Sequence, residues 1–546
     1  MAEPLLEVQG LTFQYRRASK PALRDLDLTV EAGEVLLVAG PSGCGKSTLI
    51  RVINGLIPHS YRGALSGRVL IEGRDTAGMR LRELATKVGT VLQDPARQLV
   101  ASTVAAELAF GPENLAWPPD EIGVRIAEVA AQSGIARLLD RTTDALSGGE
   151  MQAVAVAGSL MLRPRLLVMD EPLANLDPAA AHRLLGLVRD LARSGTAVVI
   201  VEHRIEDALD ARPDRVLYMD DGEARYLGGL EGFFDVADPD AVKLPFDVWL
   251  RRGPTSAPGE AAPSVAPPSP EAAPRLEWRS VEAGYDGETV LHDVSVRLGR
   301  NEVVAVLGPN GSGKTTLFKS AIGLVKRTAG DVLVDGASTE GRSVADLAGT
   351  FGFVFQNPSQ MLFAPTVSDE LLFGPRNLGR DPAGFDALAA SALARVNLAD
   401  EPEIMTRAPL TLSFGQQKRL SIAVALTLRP RTLVLDEPSA GQDYRNATAF
   451  MREVQRIEGM ESVYLITHDV DLALVHADRV LLLRDGRIVA DGAPLDVIAD
   501  RQRWEGCNLR YTSLMEANAR QAGQTSRFLD ARALSAAMAA TGGPPA

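Results

Sequence analysis

The chain has 546 residues, 46% hydrophobic and 23% charged, a globular composition with room for more than one core. Its net charge of −13 argues against a nucleic-acid partner, because affinity for a phosphate backbone rests on clustered Lys and Arg. The 2 cysteines, Cys44 and Cys507, are too few for a disulfide framework, a zinc ribbon or an iron–sulfur cluster, and they read as free thiols in a reducing compartment.

From the N-terminus, "MAEPLLEVQG" has no basic region followed by an apolar core, and the longest apolar runs are strand-sized, so neither export nor a membrane span is expected. Tyr15 precedes a Gly-rich loop and is a candidate to stack on a base, although a core tyrosine is nearly as plausible. The strand-like "GEVLLVAG" then leads into "GPSGCGKST" at 40–48, which fits G-x-x-x-x-G-K-[ST] and precedes a helical stretch. In this reading Gly40, Pro41, Ser42, Gly43, Cys44, Gly45, Lys46, Ser47 and Thr48 wrap the phosphates of a nucleotide. Lys46 reaches the β/γ oxygens and Ser47 holds Mg²⁺.

Gln93 follows "VGTVL", at a strand end where an amide can reach both a metal and a neighbouring domain. "LSGGE" at 146–150 sets Ser147, Gly148 and Gly149 ahead of a helical stretch, presenting backbone N–H groups and a positive dipole end to an anion. "LLVMDEP" ends a buried strand on an acidic pair. Alone, such an Asp is most often a turn former; beside a P-loop, Asp170 is read as a Mg²⁺ ligand and Glu171 as the group that polarises the attacking water. His203 closes "AVVIVEH", and its recurrence downstream favours a γ-phosphate contact over a structural histidine.

Everything so far is then written again, offset by roughly 265 residues, so the chain is a domain duplication. Tyr285 precedes "GPNGSGKTT", in which Gly308, Pro309, Asn310, Gly311, Ser312, Gly313, Lys314, Thr315 and Thr316 repeat the loop and Thr315 repeats the metal ligand. Gln356, the pair Asp436 and Glu437, and His468 follow in the same order, with "LSFGQ" at 412–416 supplying Ser413, Gly415 and Gln416. Residues 5–245 and 276–500 form the two domains. The Pro/Ala-rich stretch 246–275 between them reads as an extended linker, and 501–546 as a tail with a short helix and no assignable role. β-rich apolar runs alternating with helical segments give each domain an α/β layer with a largely parallel sheet, its functional residues at the carboxyl ends of the strands.

With these motifs in place, both halves resemble ATP-binding-cassette ATPase domains over nearly all of 5–245 and 276–500. The resemblance implies two tandem P-loop NTPase domains, each with a parallel core sheet, an antiparallel β subdomain and a helical subdomain, that bind ATP with Mg²⁺ and hydrolyse it. It also implies head-to-tail pairing within the chain. Ser413, Gly415 and Gln416 would close on the phosphate at Lys46, and Ser147, Gly148 and Gly149 on that at Lys314. Two departures stand out: Phe414 replaces the usual Gly and Glu150 the usual Gln. A left-handed backbone at Phe414 would impair the first site, whereas a helical one leaves a phenyl that fills a groove. The loops "LANLD" and "SAGQD" also differ, although Asp177 and Asp443 keep their final carboxylate.

Cassette ATPases drive membrane transporters or act as soluble machines in translation and repair. The cysteine count and the Pro-rich linker speak against the soluble types, and a second repeat speaks for transport: "TVAAELAFGPENL" at 103–115 and "TVSDELLFGPRNL" at 366–378. These segments, a shared packing helix on the plainer reading, resemble with "GLIPHSYRGALSGRVLIEG" the ATPase component of energy-coupling factor importers for vitamins or transition-metal ions. That resemblance implies a peripheral ATPase on the cytoplasmic face of a bacterial membrane. Its partners would be an integral-membrane coupling protein and a substrate-binding membrane protein. A soluble twin-cassette ATPase acting on the ribosome is the alternative. Within "ARQLVASTV" and "SQMLFAPTV", Leu99 and Leu362 are the expected docking anchors.

Overall fold

The computed structural model describes residues 4–16, 18–174, 176–252, 274–285, 287–439, 442 and 444–540. The chain divides into two compact units that part between Val248 and Trp249. Each has the same plan, as the internal repeat requires.

In the first unit a 6-stranded sheet runs in the order Glu223–Gly228, Arg215–Asp220, Val35–Ala39, Ala197–Val201, Leu166–Asp170, Val88–Val91. All neighbours are parallel except the first pair. Its central strands, VLLVA, AVVIV and LLVMD, are buried along their length apart from Asp170, the pattern of strands covered on both faces. A second, antiparallel sheet of 4 strands, ordered Leu23–Val30, Leu6–Tyr15, Gly63–Ile71, Arg74–Asp75, shares the core through Leu6, Phe13, Leu26 and Ile71. Helices Val104–Asn114, Pro119–Gln132 and Gly148–Leu160 pack on one another as a separate layer.

The second unit repeats the strand order with Arg487–Gly492, Arg479–Arg484, Val303–Leu307, Ser462–Ile466, Thr432–Asp436 and Phe351–Val354. It adds the antiparallel sheet Glu288–Leu298, Leu276–Tyr285, Arg327–Val334, Ala337–Ser338 and the helices Val367–Asn377, Phe385–Arg395 and Phe414–Leu426.

Two stretches differ from their reading as an extended linker and a tail with one short helix. Residues Phe246–Arg252 are helical, while the Pro/Ala-rich remainder at 253–273 lies outside the described residues. The tail carries three helices, Arg501–Gly506, Ser513–Arg520 and Ala531–Ala540, rather than one, and Trp504, Met515 and Leu534 are fully buried. Among the described residues no helix is long and apolar enough to cross a membrane.

Candidate functional site

Parallel strands deliver the site residues to one edge of each sheet. The Gly-rich loop leaves Val35–Ala39 and enters helix Lys46–Ile53; Asp170 ends its strand; Gln93 and His203 stand just past Val88–Val91 and Ala197–Val201. The loop can turn so tightly only because its glycines lack a side chain. Gly40 sits at φ 149°, where an added Cβ would be 2.2 Å from the carbonyl oxygen of Met219, and Gly45 enters the helix at φ 107°. Gly308 and Gly313 repeat this at φ 150° and 97°.

Within this cradle the buried Lys46 donates from Nζ to the carbonyl oxygens of Gly40 and Pro41, both at 2.8 Å, and Lys314 donates to those of Gly308 and Pro309, both at 2.9 Å. Ser47 Oγ donates to Asp170 Oδ1 at 3.2 Å, and Thr315 Oγ1 to Asp436 Oδ2 at 2.9 Å. A hydroxyl and a carboxylate brought together beside a phosphate cradle form the hard oxygen set that suits Mg²⁺. Burial first, then the neighbouring Glu171, pushes the Asp170 carboxyl up; the same causes push Asp436 up to about 6. A nearby cation would relieve both.

The adjacent carboxylates behave oppositely. Burial works to raise Glu171, but His203, Lys46 and Gln93 together hold it low. His203 Nε2 stands 2.9 Å from Glu171 Oε1, and Gln93 Nε2 donates to Oε2 at 2.6 Å. In the second unit His468 Nδ1 lies 2.8 Å from Glu437 Oε2, and Glu437 is likewise held low against its burial by His468 and Lys314. Both glutamates sit at positive φ, 47° and 49°, a conformation that a side-chain-bearing residue keeps only where its surroundings enforce it. Each unit thus offers an ionised carboxylate with a histidine on it, beside a lysine and an Asp-hydroxyl pair. Such a set can bind a nucleotide triphosphate and orient a water toward its γ-phosphate.

Tyr15 and Tyr285 do not match. The Tyr15 hydroxyl meets Thr48 Oγ1 at 3.2 Å and accepts from Arg51 Nη1 at 2.9 Å, and its ring packs edge-on to Phe13. Tyr285 is 44% exposed. Of the two, Tyr285 has the open face that base stacking needs.

The two helix starts are built as capping boxes. Ser147 accepts from the backbone N–H of Glu150, whose carboxylate takes the backbone N–H and hydroxyl of Ser147; Ser413 and Gln416 exchange the two backbone N–H bonds. Phe414 is the first residue of its helix, the helical one of the two cases set out for this position. Glu150 is the sharper departure. Burial favours its neutral form, but its bonds to Ser147 and the charges of Arg141 and Arg137 keep it ionised. Ser147 and Ser413 are exposed, and neither is bonded to the P-loop of its own unit among the described residues. Asp177 caps helix Pro178–Arg193 through the N–H of Ala180, while Asp443 lies outside the described residues.

The segments after Gln93 and Gln356 correct one expectation. Leu362 is 2% exposed and Leu99 only half-exposed, so neither is a free anchor; the residues that follow them, Val100 and Phe363, are each 64% exposed. Along a loop, adjacent side chains face different ways, and the sequence does not say which is outward. Phe363 packs edge-on to the half-exposed Phe373, and Phe110 holds the equivalent place in the first unit. One glutamate in each repeat fixes the loop: Glu107 Oε2 accepts from the N–H groups of Val100 and Ala101 at 2.8 Å, and Glu370 Oε2 from those of Phe363 and Ala364 at 2.7 Å. Sequence reasoning passed over these glutamates, although their recurrence in "AAEL" and "SDEL" was a signal.

Compared with known proteins, the chain matches the family model described as ABC transporter over residues 23–174 and 291–440. It is 35% identical to a provisionally named ABC transporter ATP-binding protein of Methanosarcina acetivorans over 91% of this chain and 87% of that one. A provisionally named counterpart from Vibrio parahaemolyticus is 34% identical over 94% and 93%. One solved structure, cbiO1 from Clostridium perfringens, described as part of the ABC transporter complex cbiONQ, aligns at 31% identity over 43% of this chain and 92% of its own, with a TM-score of 0.39.

Proposed function

Because this chain belongs to the ABC transporter family, as an ATP-binding subunit that hydrolyses ATP, we propose that it powers an importer of the energy-coupling factor type from the cytoplasmic face of the membrane. Lys46 and Lys314 hold the phosphates of the two ATP molecules, with the glycine loops supplying backbone N–H groups around them. Ser47 with Asp170, and Thr315 with Asp436, would hold Mg²⁺, which supplies charge neutralisation at the phosphate oxygens. Glu171 and Glu437 orient the attacking water through carboxylates kept ionised by His203 and His468. Gln93, bonded to Glu171, joins this chemistry to the loop that ends at Val100.

The observation that carries the transport reading is that apolar loop. In both units an exposed apolar residue, Val100 or Phe363, directly follows the Gln segment and is clamped by a glutamate; Phe373 packs on Phe363, and the equally half-exposed Phe110 holds the equivalent position in the first unit. Two such knobs suit apolar pockets or helices of membrane subunits, which must feel the state of the nucleotide. Substrate selection would rest with those subunits.

The test is Val100→Asp combined with Phe363→Asp, in the chain expressed with its membrane subunits. Neither residue is buried, so the fold and ATP binding should survive. Co-purification and uptake should be lost, since each carboxylate would be buried unpaired at the contact, at a cost of about 3 kcal/mol or more. Unchanged association and uptake would remove these loops from the interface. Co-sedimentation of the wild type with ribosomes would favour a soluble machine.

A further inference from the structure

A basic side chain reaches the turn at each water-orienting glutamate, from a different element in each unit. In the first unit the hold comes from the His203 segment. Arg204 Nη1 donates to the carbonyl oxygens of Leu173 at 2.9 Å and Leu176 at 3.2 Å, and Glu202, which is 2% exposed, accepts from the N–H of Leu173 at 3.2 Å. In the second unit the corresponding residues are Thr467 and Asp469, neither of them basic, and Thr467 Oγ1 accepts from the N–H of Asp469 at 3.0 Å.

There a basic side chain reaches the turn from helix Phe414–Leu426. Lys418, 3% exposed, donates from Nζ to the carbonyl oxygens of Glu437 and Pro438, both at 2.8 Å. Its counterpart in the first unit, the fifth residue after the capping serine, is Gln152, equally buried, whose Nε2 has no hydrogen-bond partner among the described residues. A lysine is rarely buried without a purpose that offsets its desolvation. Burial pulls its ammonium down to about 7 against the opposing charges of Glu437 and Asp436, and the carbonyl it grips belongs to a glutamate held at φ 49°.

We infer that Lys418 is a positioning residue for Glu437: it fixes the left-handed turn that aims this carboxylate and joins it to the helix that begins at Ser413. Arg204 makes the equivalent tie in the first unit from the histidine side. The inference rests on the reading of Glu437 as the group that orients the attacking water. Its consequence is that the catalytic turns of the two ATP sites are tied by different basic residues, Arg204 beside the histidine in one and Lys418 on the capped helix in the other.

The experiment traps a photoreactive ATP with vanadate in the full chain bound to its membrane subunits and maps the label beside each P-loop, together with kcat and KM. Lys418→Met keeps the apolar stem and removes the donors. Label in the second unit should fall about tenfold, the cost of a misplaced catalytic group, while KM and label in the first unit change by less than about twofold. Lys418→Gln, which places the first unit's own residue there, should recover part of the loss and carries the test if the methionine variant fails to fold. Arg204→Met should show the mirror image, with label lost from the first unit. Equal loss in both units, a raised KM with unchanged kcat, or undiminished second-unit label in Lys418→Met would each overturn the inference. Glu437→Gln separates the two readings. If it leaves second-unit trapping intact, the role of Glu437 is wrong; if it abolishes trapping and Lys418→Met does not, only the role of Lys418 is wrong.

Discussion

At the scale of single residues, each site separates two neighbouring carboxyl groups into different states. Asp170 and Glu171 are adjacent and both largely buried, yet Asp170 is pushed toward protonation while His203, Gln93 and Lys46 keep Glu171 charged. A water-orienting group must stay ionised at neutral pH, and a metal ligand waits for its cation. Glu171→Gln with Glu437→Gln should therefore leave ATP binding intact and lower turnover by roughly 10²–10⁴-fold, as removal of a general base does. Steady-state hydrolysis with equilibrium ATP binding checks this, and wild-type turnover would rule the assignment out. These residues were legible beforehand because their chemistry is local: a phosphate loop, or a carboxylate at a strand end, is written in consecutive letters. Lys418 was not, because one lysine among polar residues on a helix looks like a surface charge until the packing shows its ammonium on two carbonyls. Phe414 was legible as an oddity, but its place inside the first turn of a helix was not.

At the scale of elements, the strands followed from their unbroken apolar runs, whereas the tail did not, since Ala-rich helices with few large residues look like weakly folded sequence. Its anchors are sparse but deep. Trp504 is fully buried and donates from Nε1 to the carbonyl oxygen of Arg510 at 2.9 Å, and Thr512 Oγ1 donates to Asp471 Oδ1 at 2.6 Å on the helix that begins just after His468. Trp504→Ala should destabilise the second unit by about 3–5 kcal/mol in chemical unfolding, the usual cost of emptying a buried aromatic site. A loss within error would mean that the tail packs only loosely. The same helix ends on His476, which burial, with help from the charge of Arg452 and against Asp530 and Asp469, pushes down to about 4. A depressed histidine contributes stability that is complete above the ordinary pKa of 6.5 and is lost as pH falls toward 4, because the unfolded chain takes up a proton that the folded unit refuses. The loss across that window is at most about 3 kcal/mol. His476→Asn should therefore lose less stability than wild type between pH 7 and pH 5 in urea titrations. Parallel curves would take His476 out of the acid response.

At the scale of the whole molecule, each unit holds a complete P-loop with its carboxylates and, separately, an exposed capped helix start that its own P-loop does not use. The family resemblance implies that each helix start serves the other unit's nucleotide, an arrangement that one tethered chain would favour through effective concentration. The two starts are not equal. Ser413 is boxed with the neutral Gln416, while Ser147 is boxed with Glu150, a carboxylate kept charged beside Arg141 and Arg137. A γ-phosphate approaching Ser147 would meet a negative charge that one approaching Ser413 does not, so closure over the nucleotide at Lys314 should be the weaker. Glu150→Gln should then tighten ATP retention at Lys314 several-fold without affecting Lys46, a difference of about 1 kcal/mol for a partly screened like charge. Ser147→Arg should abolish vanadate trapping at Lys314 only, and Ser413→Arg at Lys46 only, because a bulky side chain at a helix start blocks the phosphate that would dock there. Peptide mapping of the trapped label distinguishes the outcomes. If each arginine silences the P-loop of its own unit, or Glu150→Gln acts on Lys46, the head-to-tail assignment fails and each unit must close on its own nucleotide by some other route.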